Sequence, residues 1–303
     1  MTIFRKVLLP TDFSRHADKL LEFVPDLQLL GMKELVLLHV INPMKAARWI
    51  TMDEGIVEKA RAEAKASLEG AARHVRHAFG ATASARLEIG VIYQEILRVS
   101  REEKVSLILM GSHGHGYVKK ALLGSVTQNV LRLTKTPLVI EKFRSRDESG
   151  KERLDRLPQG MFSRVLFPTD FSENSLRAFD ALCFMKNAGI GKVIIAHIQD
   201  AGRFEYFSPE RREAYNRTDR ERLARLKRKL DFRGFTGETI LREGWPFREI
   251  NRLALETDAS LILMGSHGRS ALKEAFTGTV TESVALHHVR PLMIIPRDWN
   301  GDA

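Results

Sequence analysis

The chain has 303 residues, 44% of them hydrophobic and 28% charged, which is more than one ordinary core accommodates, so two globular domains are expected. No apolar stretch approaches the roughly 20 residues a membrane helix needs, and the net charge of +10 is interleaved with acids rather than gathered into a patch. Even the densest stretch, Glu210 to Lys229, reads as the solvated face of a helix and carries no nucleic-acid motif, so neither a membrane nor a nucleic acid is expected as partner.

In chain order, short apolar runs alternate with helical patterns. Strands are predicted at Lys6-Leu9, Glu34-Val40, Arg86-Ile89, Ser106-Met110 and Pro137-Glu141. Helices are predicted near Ser14 to Leu30, Met52 to Phe79, Ile92 to Glu103 and Ser125 to Thr134. Met1 to Phe13 does not read as a secretory leader, because Pro10-Thr11-Asp12 cuts its apolar run short. From Arg144 to Gly160 the chain is charged, contains Gly150 and Pro158, and lacks an apolar period, as a linker does. Strands follow again at Arg164-Phe167, Lys192-Ile198, Thr239-Arg242, Ser260-Met264 and Pro291-Ile295. Cys183 is the single cysteine. It excludes an intrachain disulfide, fits a reducing cytoplasm, and sits among Phe179 and Leu182 as a buried structural thiol.

The second series repeats the first. Phe4-Arg5-Lys6-Val7-Leu8-Leu9-Pro10-Thr11-Asp12-Phe13-Ser14 returns as Phe162 to Ser172, and Ser106 to Gly114 returns unchanged as Ser260 to Gly268. The first pair is offset by 158 residues and the second by 154, so one copy has lost about a helical turn between His39 and Gly90. The domains are therefore 1–143 and 161–303, with 144–160 as linker. Continuous apolar strands alternating with helices imply two doubly wound five-stranded parallel α/β sheets. In such sheets a ligand binds beyond the carboxyl ends of the strands, where strand order reverses. That points to the loops after strands one and four, which are also the two segments preserved between the copies.

After strand four come Gly111-Ser112-His113-Gly114, nine residues, and Gly124-Ser125-Val126-Thr127. The second copy has Gly265-Ser266-His267-Gly268, nine residues, and Gly278-Thr279-Val280-Thr281. Glycines let backbone N–H groups converge on an anion, a helix start favours negative charge, and Ser125 or Thr279 adds a hydroxyl. The same residues would also serve plain turns and helix caps. The repetition of the spacing favours a phosphate ligand. Asp12 and Asp170, after strand one, would accept hydrogen bonds from ribose hydroxyls, hold a magnesium ion, or cap the helices that begin at Ser14 and Ser172. Val40 and Ile198 would wall an apolar base or belong to the core. His115, His287 and His288 read as surface or helix-end residues, and no cluster has metal-ligand spacing. Neither a P-loop nor a Rossmann glycine fingerprint is present.

The block Pro10-Thr11-Asp12-Phe13-Ser14 and the pattern G-x-x-G, nine residues, G-[ST], each present twice, resemble the universal stress proteins in their tandem form. The resemblance implies an adenine-nucleotide α-hydrolase-like sheet of order 3-2-1-4-5 in each half. It also implies a bound ATP or AMP in each half. In the first half Gly111, His113, Gly114, Gly124, Ser125, Val126 and Thr127 would surround phosphates and ribose, with Asp12 and Val40 near ribose and adenine and Pro10, Thr11 and Met110 flanking them. The matching second set is Gly265, His267, Gly268, Gly278, Thr279, Val280 and Thr281, with Asp170 and Ile198, flanked by Pro168, Thr169 and Met264. Thr279, where the family more often has serine, keeps the hydroxyl. The resemblance further implies pairing of the two halves as a pseudo-dimer and an unidentified protein partner. The reading is of a nucleotide-dependent stress regulator with at most slow ATP hydrolysis, since neither a general base nor an arginine finger can be assigned. An adenylate-forming enzyme, or a scaffold with empty pockets, is the alternative.

Overall fold

The computed structural model of the protein describes residues 4–43, 54–112, 123–141, 160–266 and 279–301. It forms two compact units, essentially Thr2–Leu154 and Asp155–Asp302.

In the first unit β1 (Lys6–Pro10) leads into α1 (Arg15–Leu20), a 3₁₀ turn (Leu21–Phe23) and α2 (Val24–Leu30). The sequence pattern suggested one helix here. Pro25, in the first turn of α2, has no N–H for the ladder of α1, so the helix restarts. Then follow β2 (Glu34–Ile41), α3 (Glu54–Phe79), β3 (Thr82–Ile89), α4 (Ile92–Glu102), β4 (Leu107–Gly111), α5 (Ser125–Leu133) and β5 (Leu138–Glu141). All pairings are parallel and the order is β3-β2-β1-β4-β5. Strand β3 is twice as long as its apolar run Arg86-Ile89. It lies at the sheet margin and pairs with β2 over Thr82 to Ile89. Its burial is uneven, so no continuous apolar run marks its first half.

The second unit contains β6 (Arg164–Pro168), α6 (Glu173–Phe184), β7 (Lys192–Asp200), the short α7 (Ala201–Phe204), α8 (Pro209–Phe232), β8 (Gly237–Gly244), α9 (Pro246–Glu256), β9 (Leu261–Gly265), α10 (Thr279–His287) and β10 (Leu292–Ile295). It repeats the order as β8-β7-β6-β9-β10, again all parallel. Register locates the lost turn: Ile41 pairs with Ile89, and their repeats Gln199 and Glu243 also pair. The difference in length therefore falls wholly within the crossover that holds α3 or α8. No described helix is long and apolar enough to cross a membrane.

The core of each unit is its central strands, with Val7, Leu8, Leu107 and Ile108 fully buried in one and Val165, Leu166, Leu261 and Ile262 in the other. Leu8 pairs with Ile108, and Leu166 with Ile262. Four residues beyond each pair, the chain leaves the sheet side by side at Asp12 and Ser112, and at Asp170 and Ser266. This is where strand order reverses.

Candidate functional site at the switch point

The turn after β1 is built by short-range hydrogen bonds. The Phe13 N–H donates to Thr11 Oγ1 and the Ser14 N–H to Asp12 Oδ1, both at 3.0 Å. Ser14 then caps α1, its Oγ accepting from the Ala17 N–H at 3.2 Å. These bonds hold Phe13 at φ +58, a left-handed conformation that side-chain-bearing residues rarely adopt. The second unit has the same bonds at Thr169, Asp170 and Ser172, and Phe171 has φ +60. Such strain costs about 1–3 kcal/mol and persists only where the surroundings over-determine it. Asp12 and Asp170 thus use one carboxylate oxygen to shape the turn, as the capping reading proposed.

A histidine missed as a site residue completes the turn. His39 Nδ1 lies 2.8 Å from the Thr11 carbonyl, and His197 Nδ1 lies 2.7 Å from that of Thr169. A carbonyl only accepts, so Nδ1 carries the proton in both. The left-handed phenylalanine packs on that ring, at 4.4 Å for Phe13 on His39 and 4.5 Å for Phe171 on His197.

Beneath this shared frame the halves differ. In the second, His197 Nε2 faces Asp219 Oδ2 at 3.4 Å, and Gln199 Nε2 donates to the same oxygen at 3.0 Å. Arg222 binds Asp219 Oδ1 at 3.3 Å, with its guanidinium 5.5 Å from the Phe171 ring centre. His197 therefore sits between the Thr169 carbonyl on one side and the Asp219 carboxylate on the other. Asp219 is only 5% exposed, which corrects the reading of Glu210 to Lys229 as a wholly solvated face. Counting back from Leu230, Leu226 and Leu223 by the helical period lands on Asp219, and that signal was available in the sequence. In the first half Ile41 replaces Gln199.

The glycine loops are seen at their ends. His113, Gly114, His267, Gly268 and Gly278 lie outside the described residues, as does the side chain of Thr279. Gly124, not Ser125, is the N-cap of α5, with Ser125 the first helical residue. The Gly124 N–H is committed to the Ser112 carbonyl at 2.7 Å. The first-turn N–H groups of Ser125, Val126 and Thr127 have no intrahelical acceptor, and a glycine cap offers no side chain to them. Thr127 Oγ1 donates to the Gly111 carbonyl, and Thr281 Oγ1 to that of Gly265, both at 2.9 Å. These buried hydroxyls therefore tie helix to strand, and their protons are not available to a phosphate. Gly265 has a packing reason of its own: a Cβ there would lie 2.9 Å from the Asn174 carbonyl oxygen in α6.

Of the other candidates, Val40, Met110, Ile198 and Met264 are at most 9% exposed, Pro168 and Thr169 are buried, and Pro10 and Thr11 are half-buried. His287 is exposed at the end of α10, but His288 departs from the surface reading: it is fully buried, with Nδ1 2.8 Å from the Arg290 carbonyl. Cys183 is buried, and burial pushes its thiol up to about 11 against the nearby Arg233, so it is unreactive at neutral pH. Among the described residues no cluster of three His, Cys, Asp or Glu is set to hold a metal.

Two doubly wound α/β domains in tandem, each with a strained Asp-bearing turn at its switch point, and in the first a glycine-capped helix beside it, define the class. The chain belongs to the universal stress protein family, whose model matches residues 3–142 and 161–296. A universal stress protein of Methanocaldococcus jannaschii is 30% identical over 156 residues, 46% of this chain and 96% of that relative. One from Mycolicibacterium smegmatis is 23% identical over 302 residues, covering 95% of this chain and 96% of its own. The crystal structure of a universal stress protein from Archaeoglobus fulgidus matches 97% of both chains, with a TM-score of 0.73 at 27% identity.

Proposed function

We propose that each half, with domain limits at 143 and 161, binds one adenine nucleotide, ATP or AMP, in the switch-point crevice. The chain acts as a nucleotide-dependent stress regulator of a protein partner in the cytoplasm, with no more than slow hydrolysis. The observation that carries this reading is the strained turn at Phe13 and Phe171, maintained twice beside the neighbouring strand that leads to a glycine loop. Helix capping alone does not require a left-handed phenylalanine, because Ser14 and Ser172 already cap. In this reading the uncapped first turn of α5 receives phosphate oxygens, and the Asp12 and Asp170 carboxylates accept from ribose hydroxyls. A magnesium ion would find one carboxylate per half and would rely on phosphate oxygens for its other ligands.

Mass spectrometry of the denatured, purified protein reads any carried nucleotide, and calorimetric titration with ATP reads the number of sites. A bulky residue at Gly114 or Gly268 should abolish one site each with folding kept. Asp12→Ala should weaken adenosine and ATP alike if the carboxylate holds ribose. A loss confined to Mg-ATP would reassign it to the metal, and unchanged ATP affinity in all these variants would refute the site.

A further inference from the structure

At the carboxyl edge of the second sheet, the residue after β8 is Trp245, and it is 57% exposed. It occupies the N-cap position of α9 but makes no capping hydrogen bond, so its side chain contributes nothing to the helix start. Register pairs Gly244 with Asp200, the last residue of β7, which places Trp245 beside the point where β7 gives way to α7. Asp200 caps α7 by accepting from the Gly202 N–H at 3.1 Å, and the edge of the Trp245 ring approaches that glycine. A Cβ built on Gly202 would stand 3.8 Å from Trp245 Cη2. The indole is thus placed next to the end of the strand that carries Ile198.

The first half supplies the comparison. Val91 occupies the same place after Gly90, with N-cap angles of φ −75 and ψ 117 against −81 and 114 for Trp245. The backbone is shared, and only the side chain differs. A tryptophan is the side chain that stands to gain most from a flat partner, and at this edge it has water on much of its surface.

We propose that Trp245 is a stacking platform for the base of the nucleotide in the second half, so that the two sites are unequal and the second binds more tightly. The proposal rests on the reading of the switch-point crevice as a nucleotide site and adds its specificity element. Stacking on an aromatic side chain is worth at least about fivefold in affinity per base. It acts through the face of the base, so it raises affinity for purines without setting hydrogen-bond choice.

The test is calorimetric titration of the full chain with ATP, with tryptophan fluorescence followed in parallel. Trp245→Val copies the first half onto an unchanged backbone, so its melting temperature should match that of the parent. It should weaken one of the two sites at least about fivefold, leave the other alone, and remove the ATP-induced quenching. Val91→Trp should tighten the first site. If Asp170→Ala removes the second site while Trp245→Val leaves both affinities and the quenching unchanged, Trp245 has no role and the crevice stands. If the parent protein binds no ATP, both the crevice and the platform fall.

Discussion

Replacing Asp219 by alanine tests whether the second half depends on a charge in its core. The carboxylate accepts from Gln199 Nε2 at 3.0 Å and lies 3.4 Å from His197 Nε2, and its side chain is only 7% exposed. Asp219→Ala leaves both groups facing an apolar gap. An unsatisfied buried polar group costs roughly 1–3 kcal/mol, so the two together should destabilise the second unit by about 2–6 kcal/mol. Arg222 adds little, because its side chain is 42% exposed and rehydrates. The first half shows part of the remedy, with Ile41 at the position of Gln199. In Asp219→Ala/Gln199→Ile the unpartnered amide of Gln199 is removed while His197 keeps its Nδ1 contact with Thr169, and at least about 1 kcal/mol should return. Urea unfolding with hydrogen exchange of peptides from β7 separates this unit from the other. A single variant within about 0.5 kcal/mol of the parent, or a double variant less stable than the single, would refute the reasoning.

Gly265→Ala should lower the melting temperature by about 2–10 °C even without nucleotide, because its Cβ would meet the backbone of Asn174 rather than a side chain that can move. A loss of nucleotide affinity with no thermal effect would contradict the packing role. Acid should weaken the first unit through Glu103 and Glu88. Glu103 is held below the usual carboxylate range by its hydrogen bond from Lys6, against desolvation, with Arg86 adding to the effect. Burial pushes Glu88 up, but the hydrogen bond and charge of Arg86 and then Arg98 outweigh it. A depressed carboxyl stabilises fully above its unfolded value near about 4.3 and loses that contribution as pH falls through the folded value. Stability measured by urea titration should therefore be level near neutrality and decline below about pH 4.5, with a shallower decline in Lys6→Met. Identical acid limbs in parent and variant would count against this network.

Much of the fold was legible because it rests on local pattern. The repeat of Phe4 to Ser14, the continuous apolar runs of β1, β4, β6 and β9, and the caps at Ser14 and Ser172 are all properties of neighbouring residues, and they pointed to two parallel sheets and to the loops after β1 and β4, while the strand order came from the family resemblance. The margins were harder. β3 pairs along eight residues, half of which lack an apolar signal, because a strand at the sheet margin is held by backbone pairing as much as by burial. The family membership now shown by the match over both halves agrees with the motifs quoted from Pro10 to Ser14 and Pro168 to Ser172.

Only tertiary structure decided what individual polar groups do. Thr127 and Thr281 were read as nucleotide-site residues, and the structure adds that their hydroxyls donate to the carbonyls of Gly111 and Gly265, which sit next to them only after β4 and β9 have entered the sheet. Asp219 looked like one more charge on a solvated helix, but α8 turns it onto His197 and Gln199 of β7, residues about twenty positions away in the chain. A hydrogen bond needs its partner within about 3 Å and correctly aligned, whereas a helix or strand needs only a period. The sequence states the period directly, and it leaves the pairing of distant polar atoms to the packed chain.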